Sequence, residues 1–403
     1  MRKIWISLST LLFLCKSFSL YAQNDSLKTA PKKEEIQAVY QHYLQDGIHS
    51  AVTGGEGTEK LQVYAPELYW KTENNRRIWQ ARAGVDVISS ASTDNIDFVT
   101  SSASRLDARV HAQVQTGWKT ADEKHRFLVG AGASLESDYF SRSLLAGWNI
   151  QTPTGFEAGL EASWFYDDLR WGRVNPGLYK PDRLIYPSEL RYKNWLDDFI
   201  RQSFNLRGRI EWLVSRRHRL ALYPEWGYQK GQLATPFHRV FFQDQSLGVE
   251  RLPGHRQKLA LAMQWNAFVG GRWIFKTKIQ GYSDDFGIRS LMGEEEILYI
   301  WQAEWRTGIS FRTYAQSAAK AFAAKGQHAP DKAFATSDYD LSAFTSWEPG
   351  WTVVWRPLPE KPSGWHWKEI RLRGSGYFRS DGLKALMLSL NLSLYKEQSG
   401  KPF

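Results

Sequence analysis

The sequence predicts an all-β chain folded as a transmembrane antiparallel β-barrel of about 14 strands, with 16 as the alternative. Three observations predict it. Between Arg105 and Trp118, one alternate set is polar or charged (Arg105, Asp107, Arg109, His111, Gln113, Gln115). The interleaved set is mostly apolar (Leu106, Ala108, Val110, Ala112, Val114, Thr116, Trp118). Strand side chains point to opposite faces in turn, so one face is wet and the other apolar. The run outlasts the ~9–11 residues that a tilted membrane strand needs. Second, mean hydropathy is negative although 14% of residues are aromatic and 19 are Trp. That pairing fits a polar lumen inside an apolar band edged by aromatic girdles. Third, the chain begins like an exported protein, and no later apolar run reaches the ~18 residues of a helical span.

In chain order, residues 1–22 read as a signal peptide. Arg2 and Lys3 precede an apolar run from Ile4 to Leu14, and Ser19-Leu20-Tyr21-Ala22 offers a cleavage site. Cys15, the only cysteine, lies inside it, so the mature chain has no disulfide and no thiolate metal site. Loss of Arg2, Lys3 and Lys16, with no acidic residue, takes the formal charge from +10 to about +7. An exported, cysteine-free, mildly basic chain argues against a nucleic-acid partner.

Residues 23–77 read as an N-terminal periplasmic helix followed by a Gly-rich, plug-like segment. Ile36, Val39, Tyr40, Tyr43 and Leu44 have the spacing of one helix face, and Gly47 stops it. The stretch SAVTGGEGTE lacks the Lys-Ser/Thr of a phosphate loop, so it is expected to lie in or against the lumen. Leu61 to Lys71 reads as a short strand or part of that plug.

The barrel is expected over 78–403. Alternation marks strands from Ile78, Arg105, Phe127, Ser143, Phe156, Phe204, Leu220, Leu259, Trp273, Tyr299, Asp338, Gly350, Ile370 and Leu386. An even count leaves both termini in the periplasm and places the longest connections (92–102, 169–202, 230–255, 285–297) outside. Residues 315–337 fit poorly, because this phasing makes a long segment periplasmic. Ala318 to Lys325 reads as a short helix.

Several strings, SAVTGGEGTEKL, YAPEL, VDVISSASTDNID, SSASRLDARV, DDLRWG, LIYPSELR, TPFHRV, VERLPGHRQK, DDFG and TSDYDLS, span nearly the whole mature chain. On them the sequence resembles the outer-membrane β-barrel family catalogued as domain of unknown function 3570. The resemblance implies a Gram-negative outer-membrane barrel with exported redox neighbours: a thioredoxin-like protein, a small lipoprotein and a flavin transferase. It supplies no activity, so no catalytic residue and no cofactor is carried over.

Candidate chemistry is sparse. Asp94 with Asp97, Asp284 with Asp285, and Asp338 with Asp340 form acidic clusters, but none has calcium-loop spacing and Asp is frequent in turns. A hydrolase built from His111, His238, Asp284 and Asp285 would need them brought together by the fold; a non-enzyme is expected. The lumen gives the quantitative handle. Inward basic residues are Arg82, Arg105, Arg109, Arg126, Arg207, Arg209, Arg219, Lys258, Arg272, Lys276, Lys278, Arg306, Arg312, Arg371, Arg373 and Arg379. Inward acidic ones are Asp86, Asp107, Glu136, Asp138, Glu157, Glu161, Glu211, Glu225, Asp284, Glu304 and Glu369, five fewer. The expected function is a gated or plugged passage for a small anionic solute. The rival is a non-conducting scaffold that docks the redox partners. Outer-membrane lipid and the barrel-assembly machinery are the other expected partners of a monomer.

Overall fold

The computed structural model describes residues 32–74, 76–90, 106–136, 139–169, 200–235, 238–358 and 364–398. The expected signal segment 1–22 lies outside them. Among the described residues, sixteen strands of 12 to 16 residues make a closed wall. They are β1 (Lys32–Asp46), β2 (Leu61–Glu73), β3 (Arg77–Ser90), β4 (Leu106–Lys119), β5 (His125–Glu136), β6 (Tyr139–Gln151), β7 (Phe156–Asp168), β8 (Ile200–Ser215) and β9 (His218–Gly231). After a two-stranded hairpin outside the wall, β10 (Arg239–Phe241) with β11 (Leu247–Val249), the wall resumes. It continues as β12 (His255–Val269), β13 (Trp273–Asp284), β14 (Arg289–Ile300), β15 (Trp305–Gln316), β16 (Phe344–Trp355), β17 (His366–Arg379) and β18 (Lys384–Gln398). Wall neighbours are antiparallel, and the ring closes where β1 pairs with both β2 and β18.

That closure corrects the expected N-terminal helix and plug. Ile36, Ala38, Tyr40, His42 and Leu44 stand opposite Leu394, Leu392, Leu390, Leu388 and Leu386, so β1 completes the outer face of the leucine ladder. The helical spacing arose because Val39 and Tyr43 point inward, which puts apolar residues on both faces and blurs the period of two. β2 is likewise wall, so the barrel begins at Lys32 rather than at residue 78, and only 47–60 is left as a loop. The count of fourteen from Ile78 stands through two compensating errors. The alternation hides β14 in an expected external loop and divides β16 into two strands. With β1 and β2 the total is sixteen.

The split in β16 fell at Pro349-Gly350, and the ladder shows why. Pairing of β16 with β15 runs unbroken through Phe311↔Pro349, while pairing with β17 skips from Trp347↔Phe378 to Gly350↔Ser375 without a change of register. Pro66 and Pro224 sit in the same kind of gap, between Tyr64↔Val87 and Glu67↔Gly84, and between Arg207↔Glu225 and Ile210↔Leu222. Proline has no N–H to give, so each strand forgoes bonding on one side only.

The outer face carries Leu68, Leu261, Leu291 and Ile309, each more than half exposed, as a lipid-facing surface requires. Aromatic pairs mark two levels: Trp118–Phe127, Trp273–Tyr299 and Trp305–Trp355 at one, Phe204–Trp226 and Trp347–Phe378 at the other. Glu295 is an exception on this face, and its carboxylate accepts from the Thr277 hydroxyl at 2.6 Å. No helix among the described residues is long and apolar enough to cross a membrane.

Both ends of the described chain, Lys32 and Gln398, lie at one end of the barrel with the turns 74–76, 120–124, 152–155, 216–217, 270–272 and 301–304. The opposite end receives the connections 47–60, 232–254 and 317–343, and there β3 and β7 end at Ser90 and Asp168 while β4 and β8 begin at Leu106 and Ile200. Residues 315–337 therefore belong with the other long segments, which removes the misfit in the sequence-based phasing.

Candidate functional site

Period-two alternation delivers charged side chains to the lumen in adjacent-strand groups. Arg109 Nε lies 3.0 Å from Asp86 directly opposite it, Arg82 Nε 3.5 Å from Glu67, and His111 Nε2 3.3 Å from Glu67. Around the wall, Arg207 faces Glu225 at 3.4 Å and Glu161 at 3.8 Å, while Arg209 meets Glu211 and, at 3.6 Å, Glu157. Further on, Lys276–Glu296 is 2.7 Å, Arg371–Glu369 2.8 Å, and Arg312–Glu348 and Arg373–Glu294 are each 3.7 Å. The arginines stay wet, although some of their carboxylates, Glu211 above all, do not. Arg82 is 51% exposed, Arg207 54% and Glu225 44%. One recess between β1 and β8 has a volume of about 630 Å³ and is lined by Arg82, Asp86, Arg109, His111, Glu161 and Arg207.

Of the expected lumen residues, Arg82, Arg109, His111, Arg207, Arg209, Lys276, Lys278, Arg306, Arg312, Arg371 and Arg373 share the inward register of the wall. Arg105 lies outside the described residues, as does the side chain of Asp107. Arg272 is a correction: it sits in the turn 270–272 and donates to the Tyr299 hydroxyl at 3.0 Å. The expected excess of five positive charges also shrinks. Glu67, Glu294 and Glu296 face inward on strands the sequence reading did not secure, and Glu348 lies where it broke β16. The cluster Lys276 and Lys278, read as lacking acidic neighbours, stands opposite Glu296 and Glu294. Among the described residues, Lys258, Lys278 and Arg306 line the lumen without a recorded ion pair.

Across the end with the long connections, 47–60, 232–254 and 317–343 pack on one another as a cap. Gly54 (φ +82°) lets the first loop pass beneath the Phe241 ring, where a Cβ would come within 2.5 Å of that ring. This is the use of the GGEG stretch. His49 stacks on Tyr339 at 3.7 Å, Lys325 meets Glu56 at 3.0 Å, and Arg251 and Ala335 exchange backbone bonds of 2.9 and 3.0 Å. Ala318 to Lys325, expected as a helix, is irregular; Ala319 and Phe322 pack instead with Phe286, Ile288, Leu252 and Leu341. Asp284, held by Arg256 and by the Tyr282 hydroxyl at 2.8 Å, fixes the wall beneath that core.

Within the cap, three distant residues converge. His238 precedes β10, Glu250 follows β11, and Asp338 caps the 3-10 turn Tyr339–Leu341 through Oδ1, which accepts from Asp340 N at 2.9 Å. His238 Nδ1 lies 3.4 Å from Glu250 Oε1 and 3.7 Å from Asp338 Oδ2. The Glu250 side chain is only 2% exposed, and it accepts from Thr235 N at 2.6 Å and from the Thr336 hydroxyl. Burial alone would pull the His238 ring down, but Glu250 above all, with Asp338 and Asp340, holds it above its usual 6.5. Burial pushes Glu250 up, yet the His238, Thr336 and Thr235 donors leave it below the ordinary carboxylate range. Asp338 is raised by burial first, then by Asp340 and Glu250, against the pull of His238. Sequence spacing shows nothing of this cluster, whose members are linked only by the way the cap folds.

The hydrolase constellation is not assembled. His111 is in the lumen wall, Asp284 is paired with Arg256, Asp285 accepts from Gln257 N at 3.0 Å, and His238 is in the cap. Asp94 and Asp97 lie outside the described residues.

Residues 213–361 match the model of a family described as protein of unknown function (DUF3570). The matched span runs from the end of β8 past β16 and contains His238, Glu250 and Asp338. No curated protein matches the chain. Solved structures similar to it include Pseudomonas aeruginosa OccK1 (OpdK), 9% identical over 91% of this chain and 99% of that one, with a TM-score of 0.40. A bacterial polysaccharide outer membrane secretin is 8% identical over 93% and 100%, with a TM-score of 0.43. A BenF-like porin from Pseudomonas fluorescens Pf-5 is 9% identical over 91% and 99%, with a TM-score of 0.41. The barrel of this chain rests on its own closed ladder of strands.

Proposed function

We propose that this barrel is a capped, water-filled passage across an outer membrane for a small anionic solute. The observation that carries it is the exposure of the lumen charges. Arg82, Arg207, Arg209 and Glu225 keep about half their surface open, which a barrel stapled shut by side-chain packing would not allow. Sixteen strands leave room for an aqueous channel, where eight do not. The anion preference rests on Lys258, Lys278 and Arg306, and it is weaker than the sequence count suggests because most other cations face a carboxylate. Turns and termini then face the periplasm and the cap faces outward.

The test is ion conductance in planar bilayers. The protein should conduct once the cap is opened, favour chloride over potassium, and lose that preference at molar salt, where screening falls to ~3 Å. Replacing Lys258 and Lys278 by Glu should reduce or reverse the preference, and Arg105→Gln should do less. No conductance even after excision of 318–341 would sink the passage and favour the scaffold that docks exported redox partners at the periplasmic end.

A further inference from the structure

We infer that His238, Glu250 and Asp338 form a binding site for a dication of the zinc class, which clasps the β10–β11 hairpin to the segment 317–343. The inference concerns the cap alone and stands whether or not the lumen conducts.

The spacing points to an ion. His238 Nδ1 makes only a long 3.4 Å bond to Glu250 Oε1 and stands 3.7 Å from Asp338 Oδ2, where a close N–H···O bond draws its atoms to 2.7–3.2 Å. A single ring nitrogen carries at most one proton, yet two carboxylates converge on it. The three donor atoms all lie within 4.8 Å of one another. A tetrahedral ion with bonds of ~2.0–2.1 Å sets its ligands ~3.4 Å apart, close to the two distances from His238 Nδ1. Each donor is also held from behind: Glu250 by Thr235 N and the Thr336 hydroxyl, Asp338 by Asp340 N on its other oxygen. Metal sites use such outer partners to fix ligand orientation.

The donor set selects the class. One imidazole and two carboxylates suit zinc and its neighbours, with a fourth position left for water. Calcium wants ~6–8 oxygens, and three donors, one of them nitrogen, do not meet that need. Two carboxylates beside a neutral imidazole carry charge −2, which a dication cancels inside the cap.

The experiment uses the mature protein in detergent, stripped with a chelator and titrated with zinc by calorimetry and with cobalt(II) by absorption. One tight site is expected, with the intense visible bands of tetrahedral cobalt(II). Binding should be lost in His238→Ala and Asp338→Asn, weakened about 10-fold or more in Thr336→Ala, and kept in His125→Ala at the other end of the barrel. Heat-dependent gel mobility checks that each variant remains a closed barrel. A pale octahedral cobalt spectrum in the unaltered protein, binding that survives His238→Ala, or calcium as the tighter ligand would each overturn the site.

Discussion

In the wall, Arg109 reaches Asp86 on the neighbouring strand while remaining 43% exposed. In the cap, Glu250 is 2% exposed and its partners come from residues 235, 238 and 336. The exposed wall pairs, such as Arg207 with Glu225 and Glu161, are redundant and solvated, each worth ~0.2–1 kcal/mol, so losing one changes the local field more than the fold. The cap cluster is built on one buried carboxylate, Glu250, with His238 and Asp338 half-buried beside it, and removing His238 strands that carboxylate at a cost of ~3–5 kcal/mol. A continuous backbone ladder holds the wall; the cap is held by side chains and by scattered backbone bonds.

The largest expected effect is therefore His238→Ala in metal-free protein. It should open the cap by roughly 3 kcal/mol, read as faster hydrogen exchange and proteolysis in 317–343, with the heat-dependent gel shift unchanged. Equal loss of protection in β3 and β4 would mean that wall and cap are one cooperative unit. Next comes Gly54→Val. A β-branched residue at φ +82°, its Cβ against Phe241, should cost ~1–3 kcal/mol and loosen the cap without touching the lumen. Cysteine labelling on intact cells sharpens the comparison further. Cysteines at Asn95 and Asn175, in the long connections 91–105 and 169–199, should react with an impermeant reagent, and one at Thr120, in a turn at the other end, should not. The reverse pattern would put the cap in the periplasm.

The smallest effect is a titration. Glu59 is held above its usual 4.5 by burial first and by Asp340, against donation from His49 N and the charge of Arg379. A carboxyl raised on folding favours the folded cap while protonated, below pH 4.5, and that contribution is lost as pH rises through the folded value. Glu59→Gln should flatten that part of the pH profile of cap exchange. An unchanged profile would show that Glu59 is not the group responsible.

What the sequence made legible follows the same division. β4 could be read because Arg109, His111, Gln113 and Gln115 keep to one face and the apolar residues to the other. β14 could not. Glu294-Glu295-Glu296 puts carboxylates on both faces, Glu295 turning outward to Thr277, so the period of two disappears and the run resembles a solvated loop. β1 failed for the opposite reason, apolar residues on both faces. The lumen cations were legible from alternation, whereas Glu67, Glu294 and Glu296 were hidden with their strands, which is why the charge excess was overstated. Nothing periodic links His49, Glu250 and Asp338, so the cap could only be seen folded.

The pairing of β1 with β18 has a further consequence for biogenesis. The first and last strands of the wall face each other in fifteen residue pairs, so the ring cannot close until β18 has been made and brought to β1. Until then both strands are open edges, free to pair with another chain. The cap draws on residues as far apart as His49 and Tyr339, and it needs Phe286 and Ile288, between β13 and β14, as its floor. Its segments can settle only as the wall beneath them forms. On this order the barrel is born open at its mouth and capped late.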